Sequence, residues 1–254
     1  MSKIQAIAAL GMQAHQLGIE TIANNLANIN TTGYKTGRVN FHSLLSPETS
    51  GSAADAASSA TANANGVLRD FAVGKTKATE SAYDVAIQGA GFFAVMLPDG
   101  SKAYTRGGSL RINNESFLTT SAGHVLAPSI LLPANVAELV IAADGKVMAR
   151  GADQAELNEV GQLEIATFTN PEGLQALDGG LYRPNELSGD AMPGRPGEDG
   201  RGTVAQRRLE GSNVNMVEEM VNLISMQQTF GFLSKVITAD EELKQITNNL
   251  RKSS

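Results

Sequence analysis

The sequence predicts an α+β fold, in which long helices at both ends of the chain pair with each other and an all-β domain is inserted between them. Two observations predict this fold. Apolar residues recur every three or four positions at both ends of the 254-residue chain, which is the period of an amphipathic helix. The middle instead contains short β-favouring runs that are separated by turn sequences, which is typical of an all-β domain.

The N-terminal segment, residues 1–32, is predicted to form one helix of an inner helical domain. Its apolar face is broad, and the polar strip opposite is almost uncharged, so the helix needs neighbours on more than one side. Burial in the core of its own domain is the simpler alternative. Gly33 is expected to permit the turn that follows. The stripe that ends this helix consists of Ile19, Ile22, Leu26 and Ile29.

The C-terminal segment, residues 206–254, is predicted to be a return segment followed by the second helix. Ser212 or Asn213 is the expected N-cap, and Glu218 and Glu219 fall in the first turn, where the helix dipole favours acids. The seam from residue 236 onward has coiled-coil spacing, and its simplest partner is the N-terminal helix. The apolar seam contains Leu223, Met226, Phe230, Leu233, Val236, Leu243, Ile246 and Leu250.

Residues 33–82 are interpreted as a connecting segment, in which residues 46–65 form a low-complexity insert of small and polar residues. Residues 83–205 are predicted to be a β-rich outer domain that ends in a Gly/Pro loop. Asp99-Gly100 and Asp144-Gly145 are typical of hairpin turns. A fragment of about residues 67–205 is therefore expected to fold without the two ends.

The chain carries no signature of catalysis. It has no cysteine, and its three histidines lack the spacing of metal ligands, so no metal, cofactor or catalytic residue is predicted. The net charge of −6 argues against nucleic acid as the main partner. No apolar run reaches the ~18 residues that span a bilayer. The chain is interpreted as a structural building block, and the alternatives are a soluble β-domain binding module and an enzyme of unrecognised type.

Three segments resemble the bacterial flagellar axial proteins, the family of rod and hook subunits. They are "ANNLANINTTGYK" (23–35), "DVAIQGAGFFAVMLPDGSKAYTRGGSL" (84–110) and "LEGSNVNMVEEMVNLISMQQTF" (209–230). They occur in the family's order at the start, middle and end of the chain. Within the family the chain is most similar to distal rod subunits, and proximal rod or short hook-type subunits are the alternative. Leu110 and the sequence "NNESFLTT" (113–120) depart from the family pattern.

The resemblance implies a structural subunit that stacks helically into a hollow drive shaft, which transmits torque and passes export substrates. The implied partners are further copies of the chain, neighbouring rod and hook subunits, basal-body ring proteins and the export apparatus. The implied location is the flagellar basal body, crossing the periplasm. The same resemblance implies type III export without a cleaved signal peptide, and Phe41 and Leu45 match the spacing of the family's export-gate signal.

The asparagines of the first motif are expected to join both apolar seams at the interface between subunits. Asn24, Asn25 and Asn28 can donate and accept hydrogen bonds without adding charge. Many copies that meet side by side would repel one another through like charges, whereas amides can pair. The alternative is that these asparagines form only the turn that ends the helix.

Overall fold

The computed structural model describes residues 3–40, 67–133, 135–152 and 156–252. The chain divides into two compact units. Unit 1 contains both chain ends and residues 37–68, and unit 2 contains residues 28–36 and 69–214. The predicted export signal, Phe41 and Leu45, and the insert 46–65 lie outside the described residues.

Unit 1 is built on two helices, α1 (Lys3–Ala27) and α2 (Met216–Lys252), which contact each other. The α+β fold with paired terminal helices is therefore confirmed. Strands β1 (Gly37–Val39) and β2 (Val67–Arg69) form a two-stranded ribbon.

The helix termini differ from the sequence-based expectation. Helix α1 ends at Ala27, so Ile29 continues the apolar spacing but lies in the turn that follows. Asparagine is unfavourable inside helices because its side chain competes for backbone hydrogen bonds. Here the side chain of Asn28 accepts a hydrogen bond from the Thr31 hydroxyl at 3.1 Å. At the other helix the N-cap is Asn215, whose Oδ1 accepts a hydrogen bond from the amide of Val217 at 3.2 Å, rather than Ser212 or Asn213.

The main sheet of unit 2 has nine strands, in the order β14-β15-β6-β5-β9-β8-β7, with β13 paired to both β5 and β16. Both predicted hairpins form: β5 and β6 flank Gly100, and β10 and β11 of a second sheet flank Gly145. The strands of the main sheet are β5 (Phe92–Met96), β6 (Lys102–Thr105), β7 (Leu110–Ile112), β8 (Leu118–Thr120), β9 (Val125–Ala127), β13 (Ile165–Thr167), β14 (Gln175–Leu177), β15 (Leu181–Arg183) and β16 (Met192–Gly194).

Smaller sheets complete unit 2. Strands β10, β11 and β12 form a three-stranded sheet, β17 pairs with β4, and β18 pairs with β3. The predicted Gly/Pro loop is partly regular, because residues 192–194 form strand β16. The remaining strands are β3 (Thr76–Ala78), β4 (Val85–Gln88), β10 (Val136–Ile141), β11 (Lys146–Gly151), β12 (Asn158–Gln162), β17 (Thr203–Gln206) and β18 (Arg208–Glu210).

The sheets of unit 2 share an apolar core. Ile87, Phe93, Val95 and Leu118 are fully buried in it. A second cluster is aromatic: Phe92 packs edge-on against Phe168, with ring centroids 5.6 Å apart. The β-rich middle of the chain therefore has a core of its own.

Candidate functional site

The two helices of unit 1 run antiparallel. A Cβ at Gly11 would lie 3.4 Å from Leu233 Cδ1, and the Nδ1 of His15 lies 3.1 Å from the sulfur of Met226. Residue numbers therefore rise along α1 in the direction in which they fall along α2. The buried side chains of the α1 face include Ala8, Ala14 and Ile22, and small residues allow the helices to approach closely.

Helix α2 is longer than its partner, with 37 residues against 25. Because Leu233 lies opposite Gly11, the described part of α1, which begins at Lys3, does not extend to the level of Leu243. Leu243 and Ile246 accordingly remain 63% and 55% exposed. Within the described residues of unit 1, no helix covers these apolar side chains near the end of α2.

Further apolar side chains of unit 1 face solvent along the whole length of the pair. Val217 is 70% exposed and Phe232 is 65% exposed. Monomeric soluble proteins seldom expose apolar residues in such continuous rows, and rows of this kind mark interaction surfaces. We call the following set the exposed stripe of unit 1: Ile7, Leu10, Met216, Val217, Met220, Val221, Ile224, Phe230, Phe232, Val236, Leu243 and Ile246.

The predicted seam residues divide into covered and exposed members. Ile22 is buried, and Ile19, Leu26, Leu223, Met226 and Leu233 are half-buried within unit 1. Phe230, Val236, Leu243 and Ile246 belong to the exposed stripe. Ile29 is half-buried in unit 2, and the side chain of Leu250 lies outside the described residues. Their role between subunits stays a prediction.

Several exposed members of the stripe were not predicted from the sequence. Val217, Val221 and Ile224 recur at spacings of four and three, the same helical period that predicted the seam of α2. The period shows that a residue lies on an apolar face. It cannot show whether the partner helix covers that face.

The predicted asparagines have different environments. Asn24 is exposed and Asn28 is half-buried, whereas Asn25 is 1% exposed. The amide of Asn25 pairs with the backbone of Gly37: Nδ2 donates to the carbonyl at 2.9 Å, and Oδ1 accepts from the amide at 2.8 Å. Asn25 therefore joins the end of α1 to the start of β1 within one chain.

Glu219 lies beside Asn25 in unit 1. Burial raises the pKa of its carboxyl, and the hydrogen bond from Asn25 acts in the opposite direction. It lines a cavity of about 260 Å³ together with Thr21, Arg38 and Asn222. Among the described residues, no group of His, Asp and Glu side chains is arranged to hold a metal ion.

The three motifs contribute one charged residue each to a buried cluster in unit 2. Lys35 Nζ lies 2.6 Å from Glu210 Oε1, and a guanidinium nitrogen of Arg106 lies 3.3 Å from Glu210 Oε2. All three residues are at most 3% exposed. Lys35, Arg106 and Glu210 are called the motif cluster below.

Backbone carbonyls add hydrogen bonds to the motif cluster, although the buried Nε of Arg106 has no hydrogen-bond partner among the described residues. Lys35 Nζ donates to the carbonyl of Ala72 at 2.7 Å, and Arg106 donates to the carbonyl of Gly89 at 2.8 Å. Burial lowers the pKa of Lys35, while attraction to Glu210 raises it. Burial likewise lowers the pKa of Arg106, and Glu210 again acts in the opposite direction. The carboxylate is therefore what allows both cations to stay charged inside the unit.

Asn213 adds a second link between the ends of unit 2. Its Oδ1 accepts hydrogen bonds from the backbone amide and the hydroxyl of Thr36, at 2.8 and 2.7 Å. Its Nδ2 donates to the carbonyl of Asp70 at 2.8 Å. From the sequence, Asn213 was one of two candidate helix caps, and Lys35, Arg106 and Glu210 had no predicted role, since single Lys, Arg and Glu residues normally indicate a solvated surface.

The order of the three motifs matches three family models. The model described as "Flagella basal body rod protein" matches residues 6–35, "Flagellar hook protein FlgE/F/G D1 domain" matches 86–149, and "Flagellar basal body rod FlgEFG protein C-terminal" matches 205–250. Flagellar basal-body rod protein FlgG of Borreliella burgdorferi is 38% identical over 96% of this chain and 97% of its own length.

The chain belongs to the flagellar basal-body rod protein family. FlgG of Agrobacterium fabrum is 39% identical over 97% of this chain and 98% of its own, and the rod protein FlgF of Escherichia coli is 32% identical over 95% and 96%. Each family segment supplies one member of the motif cluster. Neither helix in the described part of this rod protein is long and apolar enough to cross a membrane.

Proposed function

We propose that this chain is a structural subunit of the distal flagellar rod, which polymerises helically into a hollow shaft that transmits torque and passes export substrates. Similarity to FlgG over nearly the full chain supports the distal position. The similarity to FlgF makes the proximal rod the second candidate. The implied neighbours are rod and hook subunits, basal-body rings and the export apparatus.

The exposed stripe of unit 1 is the observation that carries the proposal. Burying one large apolar side chain is worth about 1.5–3 kcal/mol, and a subunit on its own leaves a dozen such side chains of unit 1 between 37% and 70% exposed. Contact with neighbouring copies would bury them. Like charges would not accumulate there, because the stripe itself is apolar.

Replacement of Val221 by serine tests the assembly surface. Val221 is 60% exposed on α2, and the matched control is Val73→Ser, at a valine that is 50% exposed in unit 2. We expect both variants to keep the wild-type stability of the isolated subunit. Only Val221→Ser should reduce incorporation into rods, as counted by electron microscopy of isolated basal bodies. Equal incorporation of the two variants would refute the stripe as the assembly surface.

Export is a separate part of the proposal. We infer that the subunit leaves by the type III route without a cleaved signal, and that Phe41 and Leu45 are read by the export gate. Replacing both with alanine should retain the protein in the cytoplasm with unit 2 folded. Normal secretion of the double variant would remove these residues from the signal.

A further inference from the structure

The motif cluster joins residues that are far apart in sequence. Glu210 lies 175 residues after Lys35 and 104 residues after Arg106. The two cations are therefore present in the chain long before the carboxylate that compensates them. The charge of Asp70 also raises the pKa of Lys35, but Asp70 is only half-buried, and its Oδ1 accepts a hydrogen bond from the amide of Ala72.

We propose that Glu210 is the closing residue of unit 2, so that the unit completes its fold only when this late segment brings the carboxylate to both buried cations. Burying two cations without an anion is unfavourable, because the protein interior replaces little of their hydration. Until Glu210 arrives, the sites of Lys35 and Arg106 must stay open to water. A chain synthesised from its N-terminus thus keeps unit 2 open until residue 210 has been added.

The backbone contacts of Glu210 support this role. Its carbonyl accepts a hydrogen bond from the amide of Gly33 at 2.8 Å, and its Oε1 accepts one from the amide of Gly74 at 2.9 Å. Strand β18, which ends at Glu210, pairs with β3. One residue therefore holds the segments around 33, 74 and 106 in place at the same time.

Main-chain segments pack closely beside Glu210. Gly33 has a φ of 71°, and a Cβ there would lie 2.6 Å from the backbone carbon of Arg106. A Cβ at Gly74 would overlap the carbonyl oxygen of Gly211. Both glycines allow backbone segments to touch, so the cluster is sealed by main chain on two sides.

The test is Glu210→Gln in the full chain, since glutamine keeps the shape of the side chain and removes its charge. We expect the melting temperature of unit 2 to fall by about 10 °C. Amide hydrogen exchange should become faster in β8 and β9 of the main sheet, to which β18 does not belong, as well as in β3 and β18. Faster exchange confined to β3 and β18 would overturn the proposal, because it would show a local role only.

Two further variants separate the effect of Glu210 from that of another nearby carboxylate and from a simple failure to fold. Asp70→Asn removes the other carboxylate near Lys35 and should change the melting temperature by no more than about 2 °C. Lys35→Met combined with Glu210→Gln removes one uncompensated cation and should recover part of the loss. If Glu210→Gln does not fold at all, recovery by Lys35→Met supports the proposal. A double variant that stays as unstable as Glu210→Gln, or a single variant no worse than Asp70→Asn, overturns it.

Discussion

Phe93 of unit 2 is fully buried, whereas Phe232 of unit 1 is 65% exposed. Unit 2 also buries the charged residues Lys35, Arg106 and Glu210 together, while the exposed stripe of unit 1 leaves apolar side chains in contact with water. The two units therefore differ in how far they bury their own apolar and charged side chains. Unit 2 buries a charged cluster and a large apolar core of its own, whereas unit 1 leaves the twelve large apolar side chains of the exposed stripe in contact with water.

The largest expected effect concerns the segments that close unit 2. A fragment of residues 67–205 lacks Lys35, strand β18 and Glu210, so Arg106 would lose its carboxylate and β3 its partner. We expect this fragment not to fold, and a fragment of residues 28–214 to be β-rich and protease-resistant. This replaces the expectation that the sequence alone suggested. Circular dichroism and limited proteolysis of the two fragments provide the measurement, and equal protection of both would show that the closing segments are dispensable.

The next effect compares one residue type in the two units. Phe93→Ala should destabilise unit 2 by about 3–5 kcal/mol, because it leaves a cavity in the core. Phe232→Ala removes an exposed ring and should change the stability of the isolated subunit by about 0.5 kcal/mol or less. Denaturant unfolding of both variants measures the difference. A loss of several kcal/mol for Phe232→Ala would mean that an intramolecular core covers this face, and the contrast between the units would fail.

A smaller effect on stability, restricted to alkaline pH, follows from the burial of Tyr182 in unit 2. Burial raises the pKa of Tyr182 to about 12, against about 10 for an exposed tyrosine. The unfolded chain therefore releases this proton first, so stability is full below pH 10 and falls as the pH rises from 10 to 12. The loss is about 2 kcal/mol at pH 12 and approaches about 3 kcal/mol only above that pH.

Tyr182→Phe should reduce that alkaline slope and leave stability at pH 7 nearly unchanged, as measured by denaturant unfolding at pH 7, 10 and 11. Burial also raises the pKa of Tyr104, so a weaker slope in the same direction should remain. An identical slope in wild type and variant would show that Tyr182 is ionised as easily in the folded state as in the unfolded chain.

The sequence by itself determined the features that depend on neighbouring residues. Apolar residues at helical spacing predicted α1 and α2, and the Asp-Gly pairs at 99–100 and 144–145 predicted both hairpins, because a turn needs only its own few residues. The three motifs, in order, also identified the family.

Only the tertiary structure decided which apolar faces are covered and which charges are buried. Leu233 and Leu243 follow the same periodicity, yet Leu233 packs at Gly11, whereas Leu243 lies beyond the N-terminal end of the described part of α1 and is exposed. Lys35 and Glu210 look like surface residues by type, and their contact spans 175 positions. Local patterns carry no information about such distant pairs, because burial depends on the register between elements and on the segment that reaches each charge.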